Sequence, residues 1–171
     1  MQNITKNVSD FNMTGNRQIS IIATDEVKSI TLTSHNTKTL SLQQGHSFGI
    51  IESDQICFSC RLEEGRYIHD ISCRMVSTLG KWDSLFNRMS NKRWLVKVVD
   101  NNNITWLSGS LFEPLVFRWE HIGEDKPSGE HSYRLSFGRE STEPLFITDT
   151  NQNTHIERDI EVEEDDLPEG G

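Results

Sequence analysis

The sequence predicts an α+β fold, a mainly antiparallel β sandwich or barrel with one helix packed against it. Most apolar residues alternate with polar ones, which is the period of a strand with one buried face. The period changes to that of a helix at a single place, near residues 79–90. Strands and helices do not alternate along the chain, which argues against a parallel nucleotide-binding sheet. A chain of 171 residues has room for one β-rich domain, over 17–148, and two terminal segments.

The first part of this domain contains segments that are rich in β-branched side chains and alternate between apolar and polar residues. Such segments are typical of strands. Asp25 and Glu26 would make a tight connection between two of them, and Gly65 can take the positive φ of a hairpin turn. The strands predicted here cover residues 17–24, 27–33, 37–43, 46–52, 55–62 and 67–76.

One segment has helical spacing instead. Its apolar residues follow one another at short, uneven intervals that place them on one stripe of a helix of about three turns. These residues are Leu79, Trp82, Leu85, Phe86 and Met89. We therefore expect the single helix near residues 79–90.

The last part of the domain returns to strand patterns, over residues 94–99, 104–107, 114–121, 131–137 and 145–147. Residues 100–103 predict a turn, because Asp and Asn tolerate left-handed backbone. Large apolar residues on the helix and these strands should form much of the core. We expect the following to be mostly buried: Trp82, Phe86, Trp94, Val96, Val98, Trp106, Phe117, Leu135 and Phe137.

The charge of the chain is concentrated at its C-terminal end. Residues 149–171 contain nine acidic residues and one basic residue, so they carry a net charge of −8 out of the chain's −9. The rest of the chain is close to neutral. Binding of DNA or RNA requires a basic face, so we expect no nucleic acid partner of that kind.

The sequence also indicates where the protein works. It has no apolar core of signal-peptide length near its N-terminus, and no stretch that approaches the length of a membrane span. Three cysteines without an export signal suggest reduced thiols in a cytoplasmic product. We expect no membrane partner.

Residues 45–49 contain the pattern G-x-S-x-G, with Ser47 at its centre. In α/β-hydrolases this serine lies on a sharp strand-to-helix turn that exposes and activates its hydroxyl. Here the residues that follow have a β pattern and lead into another strand. A small serine hydrolase that uses Ser47 is therefore a minor alternative, and we expect no enzyme.

Cys57, Cys60, His69 and Cys73 have the side-chain types that bind zinc. On a strand, however, Cys57 and Cys60 point to opposite faces. We therefore reject a metal site and expect buried cysteines, with His69 hydrogen-bonded on its strand. No glycine loop of the kind that holds phosphate is present, so we expect no cofactor.

The four tryptophans, Trp82, Trp94, Trp106 and Trp119, fall on the helix and strands that should form the core. Buried tryptophan is the common case, although one or two could anchor an interface. Exposed Trp and His could instead bind a ligand. A β-sandwich module that binds carbohydrate or peptide is therefore the main alternative function.

The chain resembles a group of small tail and neck proteins of tailed bacteriophages from gut bacteria. The resemblance covers about three-fifths of the chain and rests on the pattern of strands, turns and helix. It lies in residues 42–51, Gly65 with Tyr67, 81–88, 94–100, 106–110, 113–115, 133–137 and 143–147. In that family the hairpin turn has the form Asp-x-Asn-Gly, whereas this chain has Asn103 in place of the glycine.

This resemblance implies a fold like that of tail-tube and tail-terminator proteins, which assemble into rings. It implies a structural virion subunit that forms homo-oligomers, contacts other virion proteins and moves from the host cytoplasm to the tail or neck. The polar arm over 1–16 and the acidic tail over 149–171 bury little apolar area, so they cannot repay their own ordering entropy. We expect both to contact neighbouring subunits.

Overall fold

The computed structural model describes residues 18–53, 55–76, 80–123 and 131–148. In these residues eleven strands and one α-helix form, as the sequence predicts. The predicted arm over 1–16 and tail over 149–171 lie outside the described residues. The elements are β1 Gln18–Ala23, β2 Val27–Ser34, β3 Thr37–Leu42, β4 Gly49–Ile51, β5 Gln55–Glu63, β6 Arg66–Val76, α1 Asp83–Ser90, β7 Arg93–Val99, β8 Thr105–Ser108, β9 Leu115–Ile122, β10 Ser132–Ser141 and β11 Phe146–Thr148.

The strands follow the order β2-β3-β11-β8-β7-β9-β10-β6-β5, and β1 joins β7 to β4. The pairs are antiparallel except for a short parallel contact between β3 and β11. Strand β7 is central, because it pairs with β1 on one edge and with both β8 and β9 on the other. The prediction of a mainly antiparallel β fold with one helix is confirmed.

The main core lies between β1 and β7 on one side and β5, β6, β9 and β10 on the other, as in a sandwich. Phe86 and Met89 of α1 close this core. A second core lies on the opposite face of β1 and β7, where the β2–β3 hairpin contributes Val27 and Leu40. Strands β1 and β7 are thus buried on both faces, which explains their nearly continuous apolar sequences.

The helix begins later than the sequence predicts. Gly80 has a φ of +79°, a left-handed conformation that a right-handed helix cannot include. A turn follows it, and α1 starts only at Asp83. Leu79, the first residue of the predicted stripe, lies outside the described residues.

The strand predicted over 46–52 is also wrong in extent, because only Gly49–Ile51 forms β4. The preceding residues turn instead. The backbone N–H of His46 donates to the carbonyl oxygen of Gln43, and Gly45 has a φ of +83°. At the other end of the domain, β10 extends four residues beyond the predicted 131–137, to Ser141.

Most of the predicted core is confirmed, since seven of its nine residues are buried. Trp82 and Trp106 are only partly buried and pack against the edge of the core. Lys97 was not predicted to be buried, yet only 1% of it is exposed. Its ammonium group lies 4.1 Å from the ring centroid of Phe48, where a cation–π interaction offsets part of its desolvation.

Candidate functional site

The outer edge of β5 has no paired strand in the part of the chain that the structure describes. All nine residues of β5 pair with β6 in an unbroken register, so the edge is long and regular. Leu62, near its end, is 61% exposed. An unpaired, regular edge with an exposed leucine is a template for pairing with another strand.

At the other end of the strand order, β2 also has one edge without a described partner. Two register shifts interrupt its pairing with β3, and Leu32 between them is 57% exposed. Bulges of this kind are one way in which proteins make an edge less able to pair with other chains. The β5 edge is therefore the better candidate for strand pairing.

The loop between β8 and β9 presents Phe112, which is 94% exposed. Two hydrogen bonds close the turn that carries it. The backbone N–H of Ser110 donates to the carbonyl oxygen of Glu113, and the N–H of Glu113 donates to Oγ of Ser110, at 3.1 and 3.0 Å. Leu111 and Phe112 form the tip of this turn and point away from the core.

Glu113 and Gly109 fix the two ends of the loop between β8 and β9. The carboxylate of Glu113 accepts hydrogen bonds from the hydroxyl of Ser141 and from the N–H and hydroxyl of Thr142, at 2.6, 2.9 and 3.0 Å. These hydrogen bonds lower the pKa of Glu113, and the one from Ser141 has the largest effect. Gly109 has a φ of +89°, and a Cβ there would meet the carbonyl oxygen of Trp94 at 3.2 Å, so only glycine fits well.

An apolar pocket with a volume of about 300 Å³ lies between α1, β4 and the ends of β6 and β10. Most of its lining side chains are aliphatic, aromatic or thioether groups, and one carboxylate, that of Glu52, stands among them. The lining includes Ile50, Met75, Trp82, Leu85, Met89 and Leu135.

A polar contact fixes α1, one wall of this pocket, to the sheet. The hydroxyl of Tyr133 donates to the carboxylate of Asp83 at 2.8 Å, and Nε2 of His121 lies 3.2 Å from the same carboxylate. The hydrogen bond from Tyr133 is the main cause that lowers the pKa of Asp83. Burial, followed by the same hydrogen bond, raises the pKa of Tyr133. Asp83 therefore anchors the first turn of α1 to β9 and β10.

Ser47 lies in the loop between β3 and β4, and a strand rather than a helix follows it. Its neighbour His46 is exposed, with Nδ1 3.5 Å from the carboxylate of Glu26. The strand-to-helix turn that a nucleophilic serine needs is thus absent at Ser47.

The structure separates the two cysteines of the Cys-x-x-Cys pattern. Cys60 is buried, as expected, and pairs across the strands with His69. The expectation of a buried side chain is wrong for Cys57, which is exposed because it lies on the opposite face of β5. Both ring nitrogens of His69 make hydrogen bonds, to Ser108 and to the carbonyl oxygen of Glu143. Cys73 lies in the main core. Among the described residues, no group of three or more His, Cys, Asp or Glu side chains could hold a metal ion.

Most of the tryptophan side chains pack in the core or make hydrogen bonds within the domain. Trp94 is buried, and its Nε1 donates to the carbonyl oxygen of Met89 at 2.9 Å. Trp119 packs on Phe86, with ring centroids 5.8 Å apart. Nε1 of Trp106 donates to the carboxylate of Asp100 at 3.1 Å. Trp82 is the tryptophan that lines the pocket.

Sequence reasoning missed Phe112 and the edge of β5 that has no partner strand in the described ranges. The sequence does contain a signal for an exposed Phe112. Two adjacent apolar residues, Leu111 and Phe112, lie between turn-forming residues rather than in a strand pattern. The β5 edge had no such signal, because strand order cannot be read from the pattern of a single strand.

Comparisons with protein-family models, curated proteins and solved structures found no match. In the ranges that the structure describes, no helix has the length and apolar character that crossing a membrane requires.

Proposed function

We propose that this protein is a structural subunit of a bacteriophage tail or head–tail neck, without catalytic activity or a cofactor, and that it assembles into rings. The observation that carries the proposal is the regular edge of β5, which pairs with no strand among the described residues, together with its exposed Leu62. Monomeric proteins usually block such an edge. A subunit that adds a neighbour's strand to its sheet needs it open.

The arrangement of edges is compatible with a ring. In the described residues the strand order ends in β5 at one side and in β2 at the other, so this part of the molecule presents two different edges. Contacts between different surfaces of identical subunits close into a ring when the rotation between subunits allows it. The resemblance to tail-tube and tail-terminator proteins points to the same kind of assembly.

The terminal segments have a part in this proposal. The arm over 1–16 and the acidic tail over 149–171 would contact neighbouring copies or other virion proteins. The acidic tail suits a basic stripe on its partner, since it holds most of the net charge of the chain. Assembly would take place in the host cytoplasm, and the mature location would be the virion tail or neck.

The proposal is tested by placing a positive charge on the β5 edge. Leu62→Lys should leave the monomer folded, because Leu62 is largely exposed, but should block strand addition at this edge. Gln44→Lys, in an exposed loop, makes the same change in charge and is the matched control. Sedimentation velocity over a range of concentrations measures assembly, and circular dichroism checks the fold.

We expect the wild type and Gln44→Lys to form the same oligomers and Leu62→Lys to remain smaller. Equal assembly of all three would show that β5 is not an interface. A wild type that stays monomeric at every concentration would contradict self-assembly altogether. If a glycan or peptide then quenched the tryptophan fluorescence, the carbohydrate- or peptide-binding alternative would be favoured, because Trp82 lines an open pocket. Ester hydrolysis that disappears in Ser47→Ala would favour a hydrolase.

A further inference from the structure

We infer that Phe112 of one copy of this chain inserts into the apolar pocket beneath α1 of the next copy, in a head-to-tail contact. The inference rests on the proposed function, because it specifies one contact of the assembly. The pocket side of the contact consists of Ile50, Met75, Trp82 and Leu85.

Phe112 is unusual as a surface residue because nearly all of a large aromatic side chain faces solvent. Buried aromatic anchors dominate many protein interfaces, so a fully exposed one on a projecting turn marks an interaction site. The turn is closed by its own hydrogen bonds, and the Glu113 carboxylate ties it to the end of β10. Binding would therefore order little additional backbone, which favours affinity.

The pocket matches this side chain in chemistry and in size. An apolar cavity of about 150 Å³ is enough to take up benzene. The pocket is about twice that volume, at about 300 Å³, and has room for the phenyl ring and for part of Leu111. Met75 and Met89 offer thioether sulfur, which packs favourably against aromatic rings.

The two surfaces lie apart on one molecule. Leu135 lines the pocket, whereas Ser141 holds the base of the Phe112 loop, and both are on β10. Ser141 lies six positions after Leu135 along the strand, which corresponds to about 20 Å. Since Phe112 is exposed, it does not fill the pocket of its own chain. Contact between two different surfaces is heterologous, so it joins copies into a ring or a filament.

This contact is apolar, so it should depend little on salt. The proposed contact of the acidic tail should weaken as salt rises, because exposed charges are screened. The salt dependence therefore separates the two kinds of contact.

The test compares self-association of the full-length wild type with that of Phe112→Ala and Phe112→Leu. We expect Phe112→Ala to weaken the association by about 30-fold or more, as for a central aromatic anchor. Phe112→Leu should retain part of the affinity, because it keeps an apolar side chain. Both variants should melt at the temperature of the wild type, since Phe112 makes no core contact. Sedimentation velocity measures the association, at low and at high salt.

A second variant changes the pocket. Leu85→Gln places an amide in its wall, and its folding is checked by circular dichroism. Alone, it should associate as weakly as Phe112→Ala. Mixed in equal amounts, the two variants should associate more strongly than either variant alone, because one intact tip and one intact pocket remain in each mixed pair. The tryptophan fluorescence of the protein should shift to shorter wavelength as the pocket is filled, because Trp82 lines the pocket.

Undiminished assembly of Phe112→Ala would overturn the inference and leave the proposed assembly through β5 intact. A wild type that stops at a dimer, or a variant mixture that remains monomeric, would also overturn the head-to-tail contact. A wild type that is monomeric under all conditions would overturn both the inference and the proposed function. If deletion of 149–171 alone abolished assembly while Phe112→Ala did not, the tail rather than Phe112 would be the connecting element.

Discussion

Nδ1 of His69 lies 2.7 Å from the hydroxyl oxygen of Ser108, and this buried pair joins β6 to β8. The other ring nitrogen, Nε2, lies 2.8 Å from the carbonyl oxygen of Glu143. Because a carbonyl oxygen can only accept, Nε2 carries a proton. Burial lowers the pKa of the ring, although the hydrogen bond to the Glu143 carbonyl and the charges of Glu113 and Glu143 oppose this effect. At neutral pH the ring is therefore neutral, and Nδ1 accepts from the hydroxyl of Ser108.

The buried neutral ring predicts a loss of stability in mild acid. The unfolded chain takes up a proton on His69 near pH 6.5, whereas the folded protein does so only at lower pH. The free energy of unfolding should therefore fall as the pH decreases from about 6.5 towards the folded pKa. Urea unfolding at about pH 7.5 and about pH 5.5 measures this slope.

His69→Gln should be less stable than the wild type near neutral pH but should show a smaller decrease between the two pH values. His35→Gln, at an exposed turn, is the matched control and should keep the wild-type slope. An unchanged slope in His69→Gln would show that other groups cause the pH dependence.

Trp94 should contribute strongly to stability. It is buried in the main core, its ring lies 6.4 Å from that of Phe137, and its Nε1 donates to Met89 at the end of α1. Trp94→Ala should lower the free energy of unfolding by about 3–5 kcal/mol, because it leaves a large cavity. Denaturant unfolding measures the loss, and a value below about 1 kcal/mol would contradict this role.

Trp94→Phe is the comparison that separates packing from the hydrogen bond. It keeps most of the apolar volume but leaves the carbonyl oxygen of Met89 without this donor. We expect it to be less destabilising than Trp94→Ala, because most of the cavity stays filled.

The three cysteines should differ sharply in reactivity. Cys57 is exposed, whereas burial raises the pKa of Cys60 and raises that of Cys73 to about 12. Only the thiolate attacks a disulfide reagent. We expect one thiol per chain to react rapidly at about pH 8 in the native protein, and three after unfolding.

Cys57→Ser should remove the rapid phase and leave the slow reaction unchanged. Two rapid thiols in the wild type would mean that Cys60 or Cys73 is more accessible than its place in the core implies.

The acidic tail should act in assembly and not in folding. Deletion of 149–171 removes most of the net charge of the chain but little apolar area, so the melting temperature of the monomer should be nearly unchanged. Assembly at low salt should be impaired, and the difference from the full chain should shrink as salt rises. Differential scanning calorimetry and sedimentation velocity measure the two effects. A much lower melting temperature would show that the tail belongs to the fold.

Some features of the site could be inferred from local sequence. The divergence of Cys57 and Cys60 follows from strand geometry, and the structure exposes one and buries the other. The turn over 100–103 was also predictable. Asn103, which stands where the resembling family has glycine, takes a φ of +59°, a conformation that asparagine tolerates. The start of α1 was not predictable, because the left-handed backbone of Gly80 depends on its surroundings.

The class of fold, the place of the single helix and most of the core follow from the sequence pattern, because the period of apolar residues is a local property of each element. The local pattern does not predict which strand edges lack a partner among the described residues, nor that Lys97 is buried and Phe112 exposed. These features depend on which strands become neighbours. Strand pairing joins residues far apart in the chain, and the alternation within one strand does not encode its partner.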